Sequence, residues 1–356
     1  MRNNLKIIVA SGSPYEIGYE HGCQGKEEVL CSIETYKSMF KTYANLDWEE
    51  AKFRSRNYVE PINKYDPDLM EEIRGVADGA GVTLEDILAL NARSEVVMMG
   101  GSAIPSDGCT AMAVTPEVTK ERNTILAQNW DWKGDQIKSL LVLKIHQKNK
   151  PSITMVTEGG IIGKIGFNDA GIGVCLNALG TAGNPKGLPL HVILRGILNS
   201  CTISDAIQSI NRVANACAAN YLIASSCGEA IDVEKSPSDF DVIYPYHGIM
   251  VHTNHYQTPR LRPADTTRFM APDTFLRCGI ATKMLMMEKG NITINSIKKI
   301  LVNHKDYPDS ICRHEDPMDA QGTQMCTVFS IVMDITAGKM ELTFGNPCEN
   351  SYVALD

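Results

Sequence analysis

The sequence predicts an α+β protein whose helices and strands are grouped in runs along the chain and do not alternate. Three observations predict this. Apolar residues recur at helical spacing from Ser13 to about Val97. After Cys109 the pattern changes to short apolar runs bounded by Gly or Asn, the spacing of a sheet meander. Between the two, residues 100–107 (GGSAIPSD) have the composition of an exposed loop.

Taken in order, Leu5-Lys6-Ile7-Ile8-Val9-Ala10 reads as a strand. Ser13-Pro14-Tyr15-Glu16 starts a helix, with a cap, a proline at the first helical position and a capping-box glutamate. The helical pattern continues with punctuation at Pro61, Pro67, Gly75 and Gly79-Ala80-Gly81, and Thr83 caps its last helix. His21 and Glu71-Glu72 read as polar positions on solvated faces, and Arg93 and Glu95 as facing a site from the end of this segment. Cys109–Val114 and Asn123–Trp130 form a predicted hairpin joined through Pro116, one end of which sets Asp131 beside Cys109. Strands are expected at Ser139–His146, Ser152–Thr157, Lys164–Asn168 and Gly171–Ala178. The glycines among them fit neither phosphate-loop spacing and read as tight turns. Helices follow at Pro189–Asn199 and Ser204–Ala214, then strands at Tyr221–Ser225, Ala230–Glu234, Phe240–Tyr244 and Ile249–Thr253. After a polar loop at Thr258–Asp265 come helices at Ala271–Glu288 and Ile294–His304, and strands at Thr327–Ile335 and Lys339–Phe344.

The 356 residues are 44% hydrophobic and 21% charged, ordinary for a globular protein. A net charge of −8 argues against a nucleic-acid partner. The 11 cysteines include no C-x-x-C pair, so neither a disulfide framework nor a zinc ribbon is expected. No membrane span or signal-peptide core is read, and the ending Ala354-Leu355-Asp356 is no peroxisomal address. A reducing cytoplasm is the expected location, and it keeps Cys109 a thiol.

The chemistry centres on Ser106-Asp107-Gly108-Cys109-Thr110 and Gln128-Asn129-Trp130-Asp131-Trp132. A cysteine one residue past a carbonyl can attack it backwards through a small ring, and glycine before it leaves that carbonyl unobstructed. Cleavage at Gly108–Cys109 would free an α-amino group titrating near ~8, a base on the same residue as the thiol. Taken singly, a Gly-Cys pair in a chain with 28 glycines and 11 cysteines reads better as a buried bystander. A nucleophile at a strand start beside a carboxylate at its neighbour's end makes a candidate site. Asn254, at the end of a strand, is the candidate side-chain oxyanion donor. His252 and His255 have H-x-x-H spacing on a strand end, where no metal is expected.

Ser13–Gly22, Gly108-Cys109, the run 128–131, Gly160–Asn168, Val251–His255 and Ser310–Arg313, in that order along the chain, resemble the acyl-coenzyme A:6-aminopenicillanic acid acyltransferases (isopenicillin N acyltransferases). These are N-terminal nucleophile hydrolases, alongside penicillin V acylase and bile salt hydrolase. The resemblance implies an αββα sandwich of two mainly antiparallel sheets between helical layers. It implies a helical segment 1–108 that stays paired, after self-cleavage, with a catalytic chain 109–356. Cys109 would be the nucleophile, Asn254 and the backbone NH of Asn177 the oxyanion donors, Asp131 the holder of the α-amino group, and Arg313 its charge partner. The substrate would be a small amide or acyl-thioester, its acyl group hydrolysed or transferred through a thioester on Cys109. No cofactor is implied, and coenzyme A enters only as a co-substrate thioester. Gln128 stands where the penicillin V acylase relatives have arginine, which favours the acyltransferase branch.

Three readings compete. The first is this self-processing acyltransferase or amidohydrolase, including a penicillin V acylase-like enzyme for another small N-acyl compound. The second is a papain-like protease pairing Cys109 with His252 or His255 in an uncut chain. The third is a non-catalytic binding protein with an unreactive Cys109.

Overall fold

The computed structural model describes residues 5–99, 108–180 and 187–355. The loop expected at 100–107 lies outside them. The strands in order are β1 (Ile7–Gly12), β2 (Thr110–Val114), β3 (Ile125–Trp132), β4 (Leu140–Gln147), β5 (Ile153–Glu158), β6 (Ile165–Asn168), β7 (Ile172–Ala178), β8 (Ala219–Ser225), β9 (Ala230–Lys235), β10 (Phe240–Ile243), β11 (Ile249–His252), β12 (Cys326–Asp334), β13 (Lys339–Phe344) and β14 (Val353–Leu355). The helices are α1 (Pro14–Gln24), α2 (Lys26–Ala44), α3 (Trp48–Ser55), α4 (Val59–Tyr65), α5 (Pro67–Ala80), α6 (Leu84–Asn91), α7 (Arg93–Met98), α8 (Leu190–Leu198), α9 (Ile203–Asn211), α10 (Thr267–Met270), α11 (Asp273–Met287) and α12 (Ile294–Leu301). The class is the expected one: α+β, with two mainly antiparallel sheets and helices. The short α10 and β14 carry too little periodicity to be foreseen.

The chain divides into two compact units. Unit one comprises Met1–Ile104, Lys138–Ala170 and Gly183–Cys217, so this spatial division does not follow the bond 108–109. Its β1 runs parallel to β4, with Ile7 opposite Val142, and β4, β5 and β6 continue antiparallel. The predicted capping box is formed: Ser13 Oγ accepts from Glu16 N while Glu16 Oε2 accepts from Ser13 N at 2.7 Å. Gly75 and Gly79, read as punctuation, lie inside α5, and their role is close approach. A Cβ at Gly75 would stand 2.1 Å from Tyr15 O, and one at Gly79 2.2 Å from Tyr19 O. Helices α1 and α5 therefore touch backbone to backbone.

His21 and Glu72, expected on solvated faces, are buried at 0% and 1% exposure, while Glu71 stays at the surface. Burial is tolerated because each has a distant polar partner. His21 Nε2 accepts from Gly160 N at 3.2 Å, and Arg195 Nη1 donates to Glu72 at 2.7 Å. Arg93 and Glu95, expected to face the site, are buried with partners in unit one. Arg93 Nε lies 3.1 Å from His191 Nε2, and Glu95 accepts from Leu190 N at 2.7 Å.

Burial, with Arg195 nearby, holds the His21 imidazole down at about 4. The unfolded chain protonates this histidine near ~6.5. Its contribution to stability is therefore complete above that pH and is lost as pH falls through the window toward 4. We expect the stability advantage of wild type over His21→Gln, measured by urea unfolding, to shrink by roughly 3 kcal/mol across that window. A pH-independent difference would contradict a neutral, buried His21.

Unit two comprises Pro105–Ile137, Gly171–Ala182 and Ala218–Asp356. Here β7-β8-β9-β10 form an antiparallel ladder, and β11-β2-β3-β12-β13-β14 a six-stranded antiparallel sheet. Strands β2 and β3 pack on β7 and β8, while α11 and α12 cover the other face of the six-stranded sheet. Alternation assigns the side chains. Met112, Val114, Ile125 and Ala127 form a core with Ala281, Leu285, Ile297 and Ile300 of the helices. Asn129 and Asp131 continue that helix-facing row, and Cys109 falls in the opposite row with Ala111 and Ala113.

Candidate active site

The β2–β3 register pairs Thr110 with Asn129 and Ala111 with Gln128. Continued by two residues, it sets Asp131 opposite Gly108, one position before the cysteine that the hairpin argument chose. The consequence is steric. A Cβ built on Gly108 would stand 2.2 Å from Arg313 Nε and 2.8 Å from Asp131 Oδ2. Gly108 does not adopt a left-handed backbone, so the glycine is there for space. Cys109 is fully buried, its Sγ 4.0 Å from Asp131 O.

Asp131 is buried and held from two sides. Arg313 Nε lies 3.4 Å from its Oδ2, and Thr327 Oγ1 donates to its Oδ1 at 2.7 Å. The same Thr327 hydroxyl accepts from Arg313 N at 3.0 Å, so one residue orients both members of the pair. Arg313 also reaches Asp273 Oδ2 at 2.5 Å and pairs with Asp309. Burial pulls the Arg313 pKa down, but Asp131, Asp273 and Asp309 outweigh it and the net shift is upward. Removing one partner from a buried pair of this kind typically costs ~3–5 kcal/mol, so the Arg313 charge is structural as well as electrostatic.

The residue that sequence reasoning missed is Arg277, on α11 and fully buried. Its Nη1 donates to Cys109 O at 2.7 Å and to Thr110 Oγ1 at 3.1 Å, and its Nη2 donates to Asn254 Oδ1 at 3.0 Å. Asp273, one turn earlier, accepts from Arg277 Nε at 2.8 Å and also receives Arg313. One carboxylate thus ties the two guanidinium groups together. The i,i+4 spacing of Asp273 and Arg277 is visible in the sequence, but there it reads as an ordinary surface helix pair.

Asn254 is fixed at three points: by Arg277 on Oδ1, by its own N–H to Thr274 Oγ1 at 2.8 Å, and by Nδ2 to Ala178 O at 3.1 Å. Ala178 follows Asn177 at the end of β7, so Asn254 is tied to the strand carrying Asn177. Asn177 Oδ1 accepts from Asn220 Nδ2 at 3.3 Å. The five residues singled out in the sequence, Cys109, Asp131, Asn177, Asn254 and Arg313, are therefore linked through Gly108, Arg277 and Ala178 within unit two.

The two histidines belong to another network. His252 has both ring nitrogens engaged, Nδ1 at 2.7 Å from Thr253 O and Nε2 at 3.0 Å from Glu234 Oε1. Burial disfavours its imidazolium, yet Asp232 and Glu234 prevail and raise its pKa. His255 lies against Thr253 and Thr274, and burial beside His252 lowers it to about 4. Neither makes a hydrogen bond or charge contact with Cys109 among the described residues. The geometry thus gives the papain-like pairing no support.

The chain is similar to known proteins in three comparisons. The family model described as acyl-coenzyme A:6-aminopenicillanic acid acyl-transferase matches residues 118–349. The 40 kDa form of acyl-coenzyme A:6-aminopenicillanic-acid-acyltransferase from Emericella nidulans is 32% identical over 343 residues, covering 96% of this chain and 92% of that protein. Among solved structures, a conjugated bile acid hydrolase from Clostridium perfringens is similar at 14% identity and TM-score 0.47, covering 70% of this chain and 92% of that one. Penicillin V acylase from Agrobacterium tumefaciens is similar at 12% identity and TM-score 0.47, covering 66% of this chain and 83% of that one.

Proposed function

Because the chain belongs to the acyl-coenzyme A:6-aminopenicillanic acid acyl-transferase family, we propose that it cuts its own Gly108–Cys109 bond and then works as an N-terminal cysteine acyltransferase or amidohydrolase. The observation that carries this reading is the Gly108–Cys109 junction itself, packed so closely against the Arg313 and Asp131 side chains that a Cβ at position 108 would have to displace them. In the first step Cys109 Sγ attacks the Gly108 carbonyl carbon. The C–N bond breaks, nitrogen takes the proton, and a Gly108 thioester forms on sulfur. Water then releases the Gly108 carboxylate and leaves a thiol and an amine on Cys109.

In turnover the amine accepts the thiol proton as sulfur attacks the acyl carbonyl. Asp131, neutralised by Arg313, holds the resulting ammonium group. Asn254 and the Asn177 N–H donate to the oxyanion, and Arg277 positions Asn254 and the Cys109 carbonyl. The ammonium returns its proton to the leaving amine or thiol, and water or an acceptor amine then resolves the thioester. A small N-acyl compound or a coenzyme A thioester fits this chemistry as acyl donor.

The test is a denaturing gel of purified full-length protein, with mass determination of each band. Two chains, 1–108 and 109–356, the larger beginning at Cys109, are expected. Incubation with N-acyl amines or acyl-thioesters should then add an acyl mass to the 109–356 chain. Active protein recovered as one uncut chain would refute the proposal.

A further inference from the structure

We propose that His304, Cys312, His314 and Cys348 form a structural zinc site, distinct from the acyl-transfer site. Their four ligand atoms lie within 4.8 Å of one another. His304 Nε2 and His314 Nε2 are 3.1 Å apart, and the Cys312 and Cys348 sulfurs 3.6 Å apart. His314 Nε2 is 3.8 Å from Cys312 Sγ and 3.4 Å from Cys348 Sγ. A tetrahedron with Zn–S of about 2.3 Å and Zn–N of about 2.05 Å has edges of roughly 3.8 Å (S–S), 3.6 Å (S–N) and 3.3 Å (N–N). The four separations given each lie within about 0.2 Å of the corresponding edge, and those from His304 to the two sulfurs do not exceed 4.8 Å. Two thiolates and two imidazoles are also the donor set that selects zinc, and four protein ligands make a closed, structural site.

The surroundings suit such a centre. Asn346 Nδ2 donates to Cys312 Sγ at 3.6 Å and to Arg313 O at 2.6 Å. Glu349 Oε1 lies 3.9 Å from His314 Nδ1, the carboxylate side of the ring whose other nitrogen points into the cluster. Cys312 N donates to Asn303 O at 3.0 Å, and His314 N to Pro308 O at 3.1 Å, which folds 303–314 back on itself. His304 and Cys348 are exposed, which gives the ion a way in. Binding would release the two thiol protons, and the two thiolates then balance the charge of the ion. Cys312 and His314 flank Arg313, so the ion would clamp the segment that delivers Arg313 to Asp131.

The experiment uses the full chain, purified without a polyhistidine tag. Elemental analysis should find about one zinc per chain. Stripped protein refilled with cobalt(II) should show thiolate-to-cobalt charge transfer and tetrahedral d–d bands. Cys348→Ser and His304→Ala, both at exposed positions, should each weaken zinc binding more than ~10-fold, and the double variant should lose stoichiometric metal while keeping its circular dichroism. No zinc binding by the stripped wild type would overturn the proposal. So would zinc retained by the double variant, or a native Cys312–Cys348 disulfide seen as a two-hydrogen mass deficit reversed by reductant. Measured in parallel on Cys109→Ala, zinc content stays interpretable whether or not the chain cleaves itself.

Discussion

Cys109→Ala is expected to run as a single chain on a denaturing gel and to show no turnover. Removing the sulfur removes the only side chain positioned one residue past the Gly108 carbonyl. The next hydroxyl, Thr110 Oγ1, is already bonded to Arg277 Nη1 at 3.1 Å and sits one residue too far along for the small-ring attack. Cys109 is fully buried and shares its row of alternating side chains with Ala111 and Ala113, so alanine is well accommodated there. Far-UV circular dichroism and the thermal midpoint should therefore stay near wild type, which separates lost chemistry from lost fold. A Cys109→Ala chain that still divides after Gly108 would remove this sulfur from the processing step.

Asn254→Ala is expected to lower kcat by ~10²–10³-fold, about 3–4 kcal/mol of transition-state stabilisation, with a much smaller change in KM. Alanine removes the amide donor, but it also strips Arg277 of an acceptor at 3.0 Å, so part of any loss would reflect a displaced guanidinium. Asn254→Asp separates the two effects, because a carboxylate still accepts from Arg277 Nη2 and cannot donate to an oxyanion. If the donor role is right, both variants lose turnover and the aspartate variant keeps more thermal stability. Near-normal kcat in either would refute it.

Much of this was legible in the sequence. The capping box at Ser13 and Glu16, the β2–β3 hairpin and the grouping of strands after Cys109 depend on periodicity and turn chemistry within a few residues, and the structure contains all of them. The assignment of Asp131 to the hairpin end was right to within one cross-strand position, since register counts residues locally. The solvated reading of His21 and Glu72 failed because their partners, Gly160 N and Arg195, lie 139 and 123 positions away. Arg277 went unnoticed for a similar reason: nothing near it in sequence says that its guanidinium meets a carbonyl 168 positions earlier.

The sequence by itself determined the α+β class and most element positions, because backbone periodicity and capping are written locally, while the Gly108–Cys109, Asp131, Asn177, Asn254 and Arg313 set was singled out through motifs that resemble a family. Only the tertiary structure decided that a Cβ at position 108 would meet the Arg313 and Asp131 side chains, that Asp273 joins Arg277 to Arg313, and that two histidines and two cysteines from separate loops converge. Those facts depend on how loops close and sheets pair across long separations. Side-chain convergence of that kind has no period to read.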